Sequence, residues 1–158
     1  MTVHDTFTCT VETLAYGGDG IARVAGRVVF IPETVPGETV RVTVTQVKKN
    51  FARAAVLDVP SPSPFRIAPR CRVPNSDTGR ACRVPGCVYD HLDYASELQA
   101  KQHQLEGFIR RLPTCAETPF LPPSASPQPL HYRNKMVLHA VAYGGTLRLG
   151  YRLEPSHS

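Results

Sequence analysis

Three cysteines, Cys71, Cys82 and Cys87, lie in a segment rich in Arg and Pro that leads into a predicted helix. The segment holds few aliphatic residues, so packing alone could not order it. Thiolates are ligands of zinc and of iron–sulfur clusters. The chain opens without a secretory signal and has five cysteines, an odd number, which indicates a reducing compartment where clustered Cys more often means metal than disulfide. The pattern therefore predicts a metal site.

The fourth ligand of this site is left open by the sequence. A [4Fe–4S] cluster normally takes four thiolates, and Cys115 could supply one only if the segment before it folds back. Zinc would be satisfied by the three cysteines and a His such as His91, although His91 fits equally well as a packed residue at the entry to the helix. Cys9 lies in a predicted strand, where we expect it to be buried.

The positive charge is concentrated in residues 41–90, which hold nine Lys or Arg and three acids, whereas the rest of the chain holds nine and ten. Such an excess is typical of a polyanion-binding face, with a solvated basic surface as the alternative. The residues predicted to contact the phosphates of such a polyanion are Lys48, Lys49, Arg53, Arg66, Arg70 and Arg72. Tyr16, Phe30 and Phe51 are candidates for base stacking, although Phe30 is expected to lie in the core.

The elements that must position these residues begin with a barrel. Residues 1–60 alternate apolar and polar positions in short runs separated by Gly- and Pro-containing turns, which predicts five strands in a small OB-like barrel. The cluster Gly17-Gly18-Asp19-Gly20 lacks the Lys-Ser/Thr of a phosphate loop and is interpreted as a tight turn. The fold class is therefore mainly β.

The remainder divides into three predicted segments. Residues 61–112 comprise a Pro-rich exit, the cysteine loop and an amphipathic helix from about Asp93 to Leu112, whose apolar face needs a partner. Residues 113–129 form a Pro/Ser-rich connector. Residues 130–158 predict a β-hairpin, with strands at 132–143 and 146–151. A lone hairpin is marginally stable, so the chain is expected to be truncated within a further domain.

The order of these features resembles the N-terminal part of the SAM-dependent RNA 5-methyluridine methyltransferases, in which an OB-like TRAM domain comes first. The similar segments are residues 14–22, 28–32, 35–38, 63–66, 69–71, 90–94, 98–101, 132–135, 149–152 and 156–157. The resemblance implies a [4Fe–4S] loop, ribosomal or transfer RNA as partner and a SAM-binding catalytic domain beyond Ser158. The spacing between Cys82 and Cys87 is two residues longer than the family's C-x-x-C.

Two functional hypotheses follow. The chain is either the RNA-binding, cluster-bearing front of an RNA uracil-C5 methyltransferase, or a stand-alone RNA-binding module with a zinc or iron–sulfur site. Neither hypothesis gives the chain catalytic residues or a bound SAM, because its sequence shows no nucleophile–base pair. The chain alone is therefore expected to be inactive. No apolar run approaches the ~20 residues of a membrane span. A monomeric cytoplasmic protein is expected.

Overall fold

The computed structural model describes residues 1–74, 81–84 and 86–150, without the side chains of Pro74, Ala81 and Cys82. The chain forms two compact units. The first comprises Met1–Arg70 and Val88–Pro123, and the second comprises Cys71–Cys87 and Ser124–Ser158. The chain returns to the first unit after the cysteine loop. The division into four consecutive segments stays a prediction.

The first unit is built on a six-stranded sheet. Its strands are β1 (Thr6–Thr10), β2 (Thr13–Leu14), β3 (Gly20–Val24), β4 (Arg27–Ile31), β5 (Thr39–Val47) and β6 (Phe51–Ser61). The strand order is β1-β5-β6-β4-β3-β2, with β4 and β6 parallel and the other neighbours antiparallel. Only two residues join the outer strands β1 and β2, so the sheet curls into a small barrel. This confirms the predicted mainly-β class, and it adds the two-residue strand β2 to the five that were expected.

Alternation along the strands sends small and β-branched side chains inward. The buried core consists of Val11, Ala22, Val29, Ile31, Val40, Val42, Ala52 and Ala54. Cys9 is half-buried and packs against this core, and burial raises the pKa of its thiol. The expectation of a buried structural Cys9 is thus met in part, and a raised pKa leaves less of the reactive thiolate.

The turn between β2 and β3 needs glycine. Gly18 has φ +88°, and a Cβ built on it would lie 2.8 Å from the carbonyl oxygen of Val88 and 3.1 Å from the Val88 Cβ. Gly17 also has positive φ, at +97°, but its Cβ would meet open space. The turn therefore packs closely on the segment that follows the cysteine loop, as expected for a tight turn.

A buried carboxylate ties the exit of the barrel to its wall. The Glu38 side chain is 0% exposed, and its oxygens accept hydrogen bonds from the Val35 and Ser63 amides and from Nε and Nη2 of Arg66. Arg66 Nη2 also donates to the Glu33 carbonyl at 2.9 Å. Burial raises the pKa of Glu38, but the hydrogen bonds from Arg66 and the two amides outweigh it and lower that pKa. A paired and hydrogen-bonded charge is tolerated in such a site.

One helix, α1 (Tyr94–Ile109), follows the cysteine loop. Asp93 caps it as predicted, its side chain accepting from the Ser96 amide at 2.9 Å and the Ser96 hydroxyl at 2.7 Å. The helix ends three residues before the predicted Leu112. Its partner is the barrel: Ala100 packs on a cluster of Leu14, Val35 and Leu92, so the helix is held to the barrel by its less apolar side.

The predicted apolar stripe of α1 is only partly covered, although its Phe108 ring contacts Tyr16 of the first unit. Leu105, Phe108 and Leu112 remain about half exposed. The second anchor of the helix is polar instead, since Gln104 Nε2 donates to the carbonyls of Leu14 and Ala15 at 3.4 and 3.0 Å.

No helix in the described part of the chain is long and apolar enough to cross a membrane.

The second unit contains two small hairpins. Strands β7 (Arg72–Pro74) and β8 (Ala81–Arg83) pair within the cysteine loop, and this hairpin was not expected from the sequence. Strands β9 (His139–Tyr143) and β10 (Thr146–Gly150) form the predicted C-terminal hairpin around Gly144 and Gly145. Its first strand is shorter than predicted because residues 132–138 are irregular, and the predicted end at Tyr151 lies outside the described residues.

Candidate nucleic-acid interface and cysteine loop

Lys48 and Lys49 lie at the tip of the hairpin between β5 and β6. The Lys48 amide donates to the Phe51 carbonyl at 2.8 Å, which closes the turn, and Arg27 Nη1 donates to the Lys48 carbonyl at 3.1 Å. Both lysines are exposed, and within the described residues neither forms an ion pair. We call Lys48, Lys49 and Arg27 the lysine turn. It presents uncompensated positive charge on a backbone that hydrogen bonds hold in place.

Arg53 continues this surface along β6. Its guanidinium carbon lies 5.8 Å from the centroid of the Phe30 ring, and its Nη1 is 3.1 Å from Oδ2 of Asp19. The side chain is half-buried. Arg53 is thus adjacent to an aromatic ring and oriented by a carboxylate, a setting that suits stacking as well as charge.

The other predicted RNA-contacting arginines are placed differently. Arg66 is only 24% exposed and its Nε and Nη2 bind Glu38, and hydrogen bonding to Glu38 raises its pKa. Arg70 is exposed on the first unit, and Arg72 is half-buried in the second. RNA contact by all six residues stays a prediction. Lys48, Lys49 and Arg53 lie in one part of the barrel, at and beside the turn between β5 and β6.

The aromatic candidates also separate. Phe30 and Phe51 meet edge to face, with centroids 5.5 Å apart and planes at 84°. Phe30 is half-buried and lies on the strand face opposite the core residues Val29 and Ile31, so the alternative of a core Phe30 is wrong. Tyr16 is 80% exposed and contacts the Phe108 ring of α1 at 5.7 Å. Arg27 was missed by the sequence reasoning because it lies outside the basic span.

Backbone hydrogen bonds bring parts of the cysteine loop together. The Val84 amide donates to the Cys71 carbonyl and the Cys87 amide donates to the Val84 carbonyl, both at 3.0 Å. Cys82 pairs in register with Val73. Cys71 and Cys87 are half-buried and not in disulfides. The backbone thus gathers three thiol-bearing residues around Val84, and their chemistry fits a thiolate-ligated metal.

The ligand set itself is not fixed by this geometry. Among the described residues no group of three His, Cys, Asp or Glu side chains has metal-binding spacing, and the Cys82 side chain lies outside the described part. Ligation by Cys71, Cys82 and Cys87 therefore stays a prediction. Cys115 lies in the 3₁₀ turn Pro113–Cys115 of the first unit, and its role as fourth ligand is equally untested.

His91 is packed as expected for a residue at the entry to the helix. It is buried on the first unit, with Nε2 3.2 Å from the carbonyl oxygen of Thr34 and Nδ1 3.5 Å from Oδ1 of Asp90. Because a carbonyl only accepts, Nε2 carries the proton. Nε2 of His91 is therefore engaged in a hydrogen bond to the barrel.

Comparison with known proteins finds similarity to one domain family and to a set of RNA methyltransferases. Residues 2–57 match the TRAM domain family. The chain is 35% identical over 152 residues to an uncharacterized RNA methyltransferase of Thermosynechococcus vestitus, which covers 96% of this chain and 32% of the relative. An uncharacterized RNA methyltransferase of Nostoc sp. is 37% identical over 148 residues, or 93% of this chain and 31% of the relative.

A solved structure of a conserved protein of Methanococcus maripaludis is 40% identical to this chain in sequence. The match covers 37% of this chain and 83% of the Methanococcus chain, with a TM-score of 0.36. The chain spans about a third of the length of the curated relatives it matches. These relatives confirm the resemblance found in the sequence. The chain carries a TRAM domain at residues 2–57 and is related along nearly its whole length to part of these RNA methyltransferases.

Proposed function

We propose that this chain is the RNA-binding N-terminal portion of an RNA methyltransferase and that the lysine turn contacts the RNA. The TRAM match and the names of the relatives support RNA as the ligand. The observation that carries the proposal is the lysine turn itself, where Lys48 and Lys49 are exposed beside Arg27 and form no ion pair within the described residues. Cations of this kind neutralise phosphates and release counterions.

The test compares two double variants in an RNA-binding assay. Lys48→Gln/Lys49→Gln removes two unpaired charges, whereas Arg41→Gln/Lys101→Gln removes two exposed charges that are paired with Asp58 and Glu97. Both change the net charge equally, so a non-specific charge effect would lower both affinities alike. We expect fluorescence anisotropy with labelled RNA to show a loss of affinity of roughly tenfold or more for the lysine variant alone. Equal losses would contradict a local site.

The reaction is proposed on the family resemblance. It implies transfer of a methyl group from SAM to C5 of a uridine in ribosomal or transfer RNA, carried out by the whole protein. Deleting the gene and analysing the nucleosides of each RNA fraction by mass spectrometry should show loss of 5-methyluridine from one fraction. Unchanged 5-methyluridine in both fractions would refute this substrate.

The cysteine loop is proposed to hold a [4Fe–4S] cluster through Cys71, Cys82 and Cys87. The support is the thiol chemistry of the three residues and the two hydrogen bonds through Val84 that link the Cys71 and Cys87 backbones. When bound, such a group would cross-link a loop that has little apolar packing of its own. Zinc is the competing metal, since three thiolates and a fourth donor satisfy it as well.

A further inference from the structure

The outer face of β4 and β6 carries aromatic residues that the barrel core does not use. Phe30 on β4 and Phe51 on β6 point away from the core, because their neighbours Val29 and Ala52 point into it. In the parallel register Phe30 lies opposite Arg53 and Val28 lies opposite Phe51. We call Phe30, Phe51 and Arg53 the aromatic face. Both rings are only partly buried, so part of each ring surface is left available to a ligand.

The geometry of the face suits planar groups. The two rings meet edge to face with centroids 5.5 Å apart, and the Arg53 guanidinium lies 5.8 Å from the Phe30 centroid. The ion pair with Asp19 at 3.1 Å fixes the guanidinium in that place. The Phe51 ring and the Arg53 guanidinium, which lies over the Phe30 ring, are groups of the kind on which unpaired bases stack.

The two ends of the aromatic face differ in charge. At the Phe51 end lies the lysine turn, which is linked to the strand by the hydrogen bond from the Lys48 amide to the Phe51 carbonyl at 2.8 Å. At the Arg53 end lies the carboxylate of Asp19. A phosphate chain is attracted to the unpaired charges of the first end, whereas Arg53 and Asp19 neutralise each other at the second. Phosphates would therefore follow the lysine turn while bases cover the rings.

We propose that the aromatic face binds unpaired bases of RNA, with the adjacent phosphates on the lysine turn. The inference rests on the proposed RNA-binding function and deepens it by naming the substrate class as single-stranded or looped RNA. In a duplex the bases are stacked on one another and paired, so their faces are not available to side chains. We infer RNA as the ligand from charge complementarity. A polyanion with exposed planar groups matches both the lysine turn and the aromatic face.

The sequence contains no tryptophan, which permits a direct probe of stacking. Phe51→Trp introduces a single indole in the aromatic face, and Phe108→Trp introduces one at a half-exposed aromatic position on α1. We expect a single-stranded RNA 12-mer to quench the emission of the first variant and to leave the second unchanged. Quenching of both or of neither, while the 12-mer still binds, would overturn the inference.

Affinity gives the second readout. Phe51→Leu should weaken binding of the 12-mer roughly tenfold, the order expected for one lost base stack, and Phe108→Leu should not. The slope of affinity against salt should be unchanged by Phe51→Leu, because stacking releases no counterions. Circular dichroism melting of each variant shows whether the barrel is intact, and Phe51→Trp keeps the ring if Phe51→Leu does not fold.

The outcomes separate this inference from the function on which it rests. Binding of the 12-mer that is unaffected by Phe51→Leu, or binding of an RNA duplex as tight as that of the single strand, refutes the aromatic face and leaves RNA binding in place. Failure of the unmodified chain to bind either RNA refutes the proposed function itself. Single-strand preference with loss only in Phe51→Leu supports both.

Discussion

Arg66→Met should destabilise the barrel strongly, because it leaves the Glu38 carboxylate buried without its cation. Glu38 is 0% exposed, and two of its four hydrogen bonds come from Arg66, one at 2.7 Å through Nη2. Breaking one side of a buried pair costs about 3–5 kcal/mol. Since Arg66 is 24% exposed and the Val35 and Ser63 amides remain, we expect the lower end, about 3 kcal/mol.

Urea unfolding followed by circular dichroism measures this loss, with Arg41→Met as the matched control. Arg41 pairs with Asp58 on the exposed side of the barrel, where ion pairs contribute little, so the midpoint of that variant should stay near the wild-type value. An Arg66→Met loss no larger than that of Arg41→Met would refute the account of Glu38 as a buried charge that Arg66 neutralises.

The same pair predicts a pH dependence. The folded-state pKa of Glu38 is lowered, so its contribution to stability is present above the ordinary carboxyl pKa of about 4.3 and is lost as pH falls through the lowered value. Protonation of Glu38 also removes the charge that Arg66 neutralises. The difference in free energy of unfolding between wild type and Arg66→Met should therefore shrink toward pH 3. A difference that stays constant from pH 7 to pH 3 would contradict this assignment.

Three further predictions follow from local contacts. Asp93→Ala removes the cap of α1 and should cost about 1 kcal/mol of unfolding free energy, whereas Asp93→Asn, which keeps an acceptor for the Ser96 amide, should cost less; equal losses in urea unfolding would argue against the cap. Gly18→Ala should destabilise by about 1–3 kcal/mol and by more than Gly17→Ala, since only the first places a Cβ against Val88; thermal melts that rank them the other way would contradict the close approach. Cys71→Ser should lower the metal content of anaerobically purified protein, where about four irons with sulfide identify the cluster and one zinc identifies the alternative; unchanged metal would exclude Cys71 as a ligand.

The parts of the fold that sequence could predict are those set by local periodicity. Alternation indicated the core side of β5, and Asp93 before an apolar period marked the start of α1. The turn at Lys48 and Lys49 was likewise evident as a polar break between two apolar runs. In each case neighbours in sequence determine the outcome.

The features that the sequence could not predict depend on contacts between residues that are distant in sequence. Glu38 and Arg66 are 28 positions apart, and nothing local distinguishes Arg66 from the other basic residues of its segment. Phe30 lies in the unbroken apolar run Val28 to Ile31, which has no alternation to show which side chain points outward. Arg27 joins the lysine turn only through the folded barrel, where its side chain reaches the Lys48 carbonyl.

The apolar stripe of α1 shows a different limit. Its residues have the period of a buried helix face, yet Leu105 and Phe108 remain about half exposed. The helix is held instead by Ala100 and by the hydrogen bonds of Gln104 to the barrel. Periodicity identified the helix correctly, but it could not show that Ala100 and Gln104, which lie outside the stripe, would contact the barrel.

The central claim is that the lysine turn binds RNA phosphates, and the most direct measurement is the salt dependence of that binding. Affinities for the single-stranded 12-mer, measured by anisotropy between 50 and 200 mM salt, give a slope of log affinity against log salt for each protein. If Lys48 and Lys49 each contact one phosphate, the magnitude of the slope should fall by about 1.4 in Lys48→Gln/Lys49→Gln and stay at the wild-type value in Arg41→Gln/Lys101→Gln. An unchanged slope in the lysine variant would contradict the claim.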